Sequence, residues 1–174
     1  KSVNSTKRGQ VVHLATRALS NAKVLRALKR AKSRGAQVQV VTAERTTTAE
    51  MRSLAKEFSL GGVILFPRNI EAPQQVGEMS VDPQGLATEL PLWVSVDQEG
   101  GRVARLKAPF TEWPPMAVLG RSGDVQLASR FAAALATELR AVGITLDYAA
   151  VLDIHTKPKN PVIGDRALAE DADG

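Results

Sequence analysis

Apolar positions along this chain recur in two rhythms, short runs of four or five and longer stretches spaced three and four apart, and the two alternate. Residues 10–15 (QVVHLA) predict a short strand. Ser20 or Asn21 then offers a cap for a helix running to about Arg34. Its Val24, Leu25, Leu28 and Ala31 share one face, while Lys23, Arg26, Lys29, Arg30, Lys32 and Arg34 cover the rest. Gly35 suits the position just past a helix end, and residues 37–41 predict a returning strand, which completes a β-α-β unit close to the minimum parallel crossover. Thr47 or Thr48 followed by Glu50 starts a second helix to about Phe58, with Ala49, Leu54, Ala55 and Phe58 as its apolar side. Gly61-Gly62 breaks it before a buried strand at 63–66, closed by Pro67-Arg68-Asn69. Residues 71–79 predict a helix, 82–89 a turn-rich connection, and 107–120 an irregular Pro-rich excursion around Trp113. The strongest helical pattern is 124–142, with Phe131, Leu135, Leu139 and Val142 along one side and Gly143 as its stop. Residues 144–148 and 151–153 read as one strand or an interrupted one, and 155–174 as a long polar loop.

The organising stretch is 90–105, LPLWVSVDQEGGRVAR. Its apolar run 92–96 reads as a strand buried on both faces. It ends abruptly in Asp97-Gln98-Glu99-Gly100-Gly101-Arg102, a set with no core-packing use. Such groups fit the carboxyl end of a parallel strand, where α/β folds place their ligand sites. Functional-looking groups close two further strands, Arg68-Asn69 and Asp153-Ile154-His155. The alternation of strands and helices therefore predicts an α/β fold with parallel strands.

Composition narrows this picture. A chain of 174 residues with 44% hydrophobic content supports one sizeable core but is short for a complete (β/α)8 barrel. It has no cysteine, which excludes disulfides and thiol chemistry. It starts at Lys1 and reads as a fragment or a processed chain. No apolar run approaches a membrane span. The formal charge of +5 hides an asymmetry: residues 1–43 hold 10 Lys or Arg and no acid, whereas 44–174 hold 13 basic and 18 acidic residues, a net −5.

Asp97 and Glu99 are the obvious acid pair. Two residues apart in one loop, they could reach the short separation a retaining glycosidase needs. Glu99 also has a structural reading, holding the loop. Arg102 and Arg105 would share a face if a helical turn begins after the glycines. His155 suits a supporting role near Asp153; with only two histidines and no paired-ligand spacing, no metal and no cofactor are expected. Trp113 could stack on a sugar or pack in the interior.

VDQEGGRVARL with the following Trp113-Pro114-Pro115-Met116, together with GGVILFPRNI at 61–70 and LDIHTKPKNPVIGDRAL at 152–168, resembles glycoside hydrolase family 3, and within it the bacterial β-N-acetylglucosaminidases. The resemblance covers about residues 46–170. It implies the N-terminal half of a (β/α)8 TIM-type barrel, about four β/α units, following a basic segment at 1–45. It implies retaining hydrolysis of terminal β-N-acetylglucosaminides through a covalent glycosyl-enzyme in the parent, a step of peptidoglycan recycling. Asp97 would bind sugar hydroxyls, Arg105 and Arg166 would contact substrate, and Arg102 would brace the loop. The family's Lys-His-x-Pro-Gly-His-Gly motif, which supplies the acid/base, and its later aspartate nucleophile are not in these 174 residues, so the chain itself is expected to be inactive. Ala150 and Lys157 stand where the family pattern has Pro and Asn.

A fainter similarity links residues 11–41 to phospholipase D-like proteins, without their His-x-Lys motif; His13 alone reads as structural. A second functional class is a non-catalytic module binding an anionic partner through the basic helix, nucleic acid not being the expected one. Half a barrel would leave unpaired strand edges, so self-association is a further expectation.

Overall fold

The computed structural model describes residues 11–15, 22–35, 37–41, 44–58, 60–84, 91–157 and 159–171. The frayed start expected at 1–9 and most of the connection at 82–89 lie outside them, as do the side chains of His13, Val24, Leu25 and Phe58.

The first unit forms as its pattern requires. Strands β1 (Val11–Ala15) and β2 (Gln37–Val41) pair in parallel, joined by helix α1 (Ala22–Ser33). Leu28 and Ala31 of its apolar stripe are fully buried. The basic face is not simply displayed to solvent. Lys29 pairs with Glu57 at 3.0 Å, and Lys32 donates to the Glu57 carbonyl at 2.8 Å. Glu57 belongs to helix α2 (Ala49–Phe58), whose start is capped by Thr48 Oγ1 accepting from Met51 N.

Strands β3 (Gly62–Leu65), β4 (Trp93–Val96) and β7 (Leu146–Asp147) form a parallel sheet in the order β3-β4-β7. Helix α3 (Pro73–Gln84) crosses from β3 to β4, and helix α5 (Val125–Ala141) leads into β7. Val94 and Val96 are completely buried. They share one core with Leu65, Val76 and Met79 of the β3–α3 unit and Leu135, Leu139 and Ile144 of the α5–β7 unit. Ser95 points the other way, is also buried, and donates to Val63 O at 2.8 Å, but Trp93 on that same face is 57% exposed, so β4 is covered on both faces only toward its carboxyl end and not along its whole length as expected. Asp124 caps α5 by accepting from Gln126 N and Leu127 N. No described helix is long and apolar enough to cross a membrane.

Three local expectations are corrected. Helix α3 runs to Gln84 rather than ending near Met79, passing Pro83 in its last turn, where a proline forfeits only one helical hydrogen bond. The excursion at 107–120 is irregular only to Pro115, for helix α4 (Met116–Ser122) begins there. Its Gly120 exists for contact: a Cβ there would fall 1.7 Å from Leu168 O. The stretch after β4 is no helical turn but an antiparallel hairpin, β5 (Gln98–Gly100) with β6 (Val103–Ala104), carrying a bulge. Strand β7 is indeed interrupted, Val151 making only an isolated bridge to Ala167.

The α4 contact generates a test. Gly120→Ala should force the 152–171 segment off α4 and cost about 1–3 kcal/mol. Denaturant unfolding would read the loss, and limited proteolysis should cut that segment first; a variant as stable and as resistant as the parent would disprove the contact.

Candidate functional site

The site begins where β4 leaves the sheet. Gln98, which is 2% exposed, turns inward and both ends of its amide are bonded. Its Oε1 accepts from Arg105 N at 2.7 Å and Leu106 N at 2.9 Å, and its Nε2 donates to Leu106 O at 3.0 Å. With Gln98 pinned inward, Asp97 and Glu99 on either side of it point away, as alternate residues of an extended chain must. The glycines serve the turn that follows. Gly100 and Gly101 have φ of +97° and +53°, and a Cβ on either would fall 2.4 Å from Pro114 O or 2.7 Å from Pro115 Cβ. Gly101 N donates to Trp113 O at 2.8 Å. The Gly-Gly pair and the Trp-Pro-Pro segment are thus two sides of one contact.

Each carboxylate then takes an arginine. Asp97 Oδ2 accepts from Arg105 Nη2 at 2.9 Å, with both side chains about a quarter exposed. Glu99 is 3% exposed and is held in a fork by Arg166, Nε to Oε2 at 2.9 Å and Nη2 to Oε1 at 2.7 Å. That bond pushes the Arg166 pKa up, against an opposing effect of burial. Arg166 sits in a 3-10 turn, Gly164–Arg166, and also donates to Val162 O at 3.1 Å. Arg102 binds the same turn, donating to Asp165 at 2.9 Å and to the carbonyls of Pro161, Val162 and Ile163 at 2.8–2.9 Å. It braces the C-terminal turn rather than its own loop.

The remaining sequence candidates lie less centrally. Asp153 is exposed, and its charge acts on Arg166. His155 N donates to Ala169 O at 3.0 Å, and its Nδ1 is buried with no partner. Asn69 is a structural cap, its Oδ1 accepting from Phe66 N and its Nδ2 donating to Glu44 O. Arg68 stacks over Phe66. Trp113 meets Phe131 edge-on at 5.0 Å and lines, with Met116, Leu119 and Leu127, an apolar groove of about 360 Å³ between α4 and α5.

Sequence reasoning missed Asp147. It ends β7, and its Oδ1 accepts from Gln98 N at 2.9 Å. Burial first, then the negative charges of Asp97 and Glu99, push its carboxyl up to about 6, against hydrogen bonds from the Gln98 and Tyr148 backbone. The signal available was its place: a carboxylate at the carboxyl end of a strand predicted to be parallel.

The family model for the glycosyl hydrolase family 3 N terminal domain matches residues 31–173. A beta-hexosaminidase of Nitrosomonas eutropha is 43% identical over 115 residues, covering 63% of this chain and 32% of the relative. One from Pseudomonas aeruginosa is 40% identical over 125 residues, covering 71% of this chain and 37% of the relative. Among solved structures, NagZ from Neisseria gonorrhoeae in complex with zinc ion is similar at a TM-score of 0.65 and 30% identity, covering 95% of this chain and 43% of that one. A glycoside hydrolase family 3 β-N-acetylglucosaminidase from Paenibacillus sp. str. FPU-7 gives 0.66 and 33%, covering 96% and 26%. The chain spans about a third of the length of these curated relatives.

Two outcomes follow from the charges. Removing Arg166 strands a buried carboxylate, so Arg166→Gln should cost on the order of 3 kcal/mol. Glu99→Gln added to it should restore part of that loss in denaturant unfolding; purely additive effects would mean that the pair does not interact. Asp147 titrates higher in the fold than its ordinary 3.8. Its contribution is therefore complete below that value and is lost as pH rises through about 6. Thermal melts should show Asp147→Asn raising the Tm above pH 6, with little effect in acid; a pH-independent difference would contradict the ionisation.

Proposed function

This chain belongs to glycosyl hydrolase family 3, and on that premise we propose that it forms the sugar-recognition part of a β-N-acetylglucosaminidase barrel, about four β/α units, without the nucleophile or the acid/base. The whole relatives' activity would need residues beyond these 174, as the absent histidine motif and the later aspartate indicate. The observation that carries the reading is the meeting of Asp97–Arg105 and Glu99–Arg166 at the carboxyl end of β4, from segments 67 residues apart in sequence.

The chemistry suits a neutral sugar. Asp97 is partly exposed, keeps acceptor capacity beyond its single arginine bond, and can take sugar hydroxyls. Arg105 uses only Nη2 on Asp97, and its Nε is buried without a partner. Arg166 commits its Nε edge to Glu99 and keeps donors on its terminal nitrogens. Arg102, Asp153 and His155 support this wall rather than face substrate. Glu99, gripped in its fork and buried, is a structural anion and not the nucleophile. The outer strands of the sheet, β3 and β7, would lie against further barrel strands or a second copy.

The test uses the 174-residue chain. It should bind N-acetylglucosamine weakly, in the millimolar range, with Asp97→Asn lowering affinity about tenfold. It should not cleave an aryl β-N-acetylglucosaminide. Turnover abolished by Asp97→Asn would move Asp97 from binding to catalysis, and absence of sugar binding would refute the recognition role. Light scattering on the same sample reads the edges: a dilution-independent monomer would mean they are already covered.

A further inference from the structure

The ladder between β4 and β7 pairs Ser95 with Leu146 and Val96 with Asp147, and Tyr148 N still donates to Val96 O at 2.9 Å. There β4 ends, and the main chain turns away through Asp97. The next donor is Gln98 N. The Asp147 carboxylate accepts from it at 2.9 Å, capping a strand end with a side chain as a helix N-cap residue does for a helix. Gln98 is therefore held twice, by its side-chain amide to residues 105 and 106 and by its backbone to Asp147. The second anchor fixes the peptide where it enters the β5–β6 pairing, and with it the directions of Asp97 and Glu99.

We propose that Asp147 is a positioning residue of the sugar site, holding through Gln98 N–H the turn that presents Asp97 and Glu99 to their arginines. The inference deepens the function proposed above and rests on it where the sugar is concerned.

The charges give the role a signature. The turn contributes Asp97 and Glu99, the segment after β6 contributes Arg105, and the C-terminal segment contributes Arg166 and Asp153. Each arginine is committed to one carboxylate of the turn, and among the described residues Asp147 is bonded to backbone amides and to no cation. Burial and its two anionic neighbours keep its proton on up to about pH 6. Ionisation strengthens its bond to Gln98 N–H, because a charged acceptor is the better one. It also sets a third negative charge beside Asp97 and Glu99. A sugar seated over the turn strips water from Asp147 and favours its neutral form. Binding then takes up a proton, and affinity falls as pH rises past the Asp147 midpoint.

The experiment follows the Gln98 amide by NMR across pH in the full 174-residue chain and titrates N-acetylglucosamine at about pH 5 and about pH 7.5, either side of the midpoint. The Gln98 amide should titrate near pH 6 in the parent and not in Asp147→Asn. Sugar affinity should drop several-fold between the two pH values in the parent and stay flat in Asp147→Asn, which keeps the acceptor but not the charge. Asp147→Ala should bind about tenfold more weakly at both, having lost the bond. A Gln98 amide that does not titrate, or that titrates unchanged in Asp147→Asn, overturns the proposal, as does an unchanged affinity profile in that variant. If Gln98 titrates as expected but the parent binds no sugar, the positioning of the turn stands and the sugar reading falls.

Discussion

The inward turn of one amide, Gln98, governs the geometry of this molecule's functional edge. A buried primary amide needs partners for its oxygen and its nitrogen, and the main chain at 105 and 106 supplies two donors to the one and an acceptor to the other. That closes residues 98–104 into a hairpin at the sheet's end instead of letting the chain run on as loop. Everything polar at the site inherits its direction from this closure. Asp97 and Glu99 face away from Gln98, Arg105 returns beside Asp97, and Gly100-Gly101 passes close enough beneath Pro114 and Pro115 to exclude any side chain.

The second half of the site comes from far along the chain and is held by arginines rather than by packing. Arg102 gathers three carbonyls and a carboxylate of residues 161–165, and Arg166 grips the buried Glu99. Guanidinium forks suit this task, since their fixed donor geometry aligns a loop that has no strand or helix to align it. The segment's other support is α4, where Gly120 admits the backbone at Leu168. A loop of exposed residues such as Leu152 and Val162 is thereby ordered around a charged cluster, not a hydrophobic one. The family model covers most of this chain, which spans about a third of its curated relatives' length, and the charged cluster is the part of it on which the proposed sugar recognition rests.

Much of this was legible in the residues. Strand and helix alternation, the apolar stripe Phe131-Leu135-Leu139-Val142, the helix start at Thr48 and the burial of one face of β4 all follow from local spacing and chain stereochemistry. The motif around Asp97 marked the candidate site, because carboxylates directly after a buried strand stand out from core composition, although the glycines beside them turned out to serve packing against Pro114 and Pro115. Less legible were the hairpin after β4, the helix α4 inside a proline-rich stretch and the extension of α3. Each turns on partners distant in sequence: Gln98 on residues 105–106, and α4 on Leu168.

By itself, then, the sequence determined the α/β class, the parallel strands, the family and the residues that meet at the strand end. Only the tertiary structure decided which carboxylate belongs to which arginine, that Arg102 serves the distant turn at 161–165, and that Asp147 stands beneath Gln98. The reason is physical. Periodicity and capping are properties of neighbouring residues, whereas an ion pair or a shared backbone donor depends on where two remote segments are brought together. Asp147 looks like any strand-end aspartate until β7 is laid in register beside β4, and only then do burial and neighbouring negative charge push its carboxyl up.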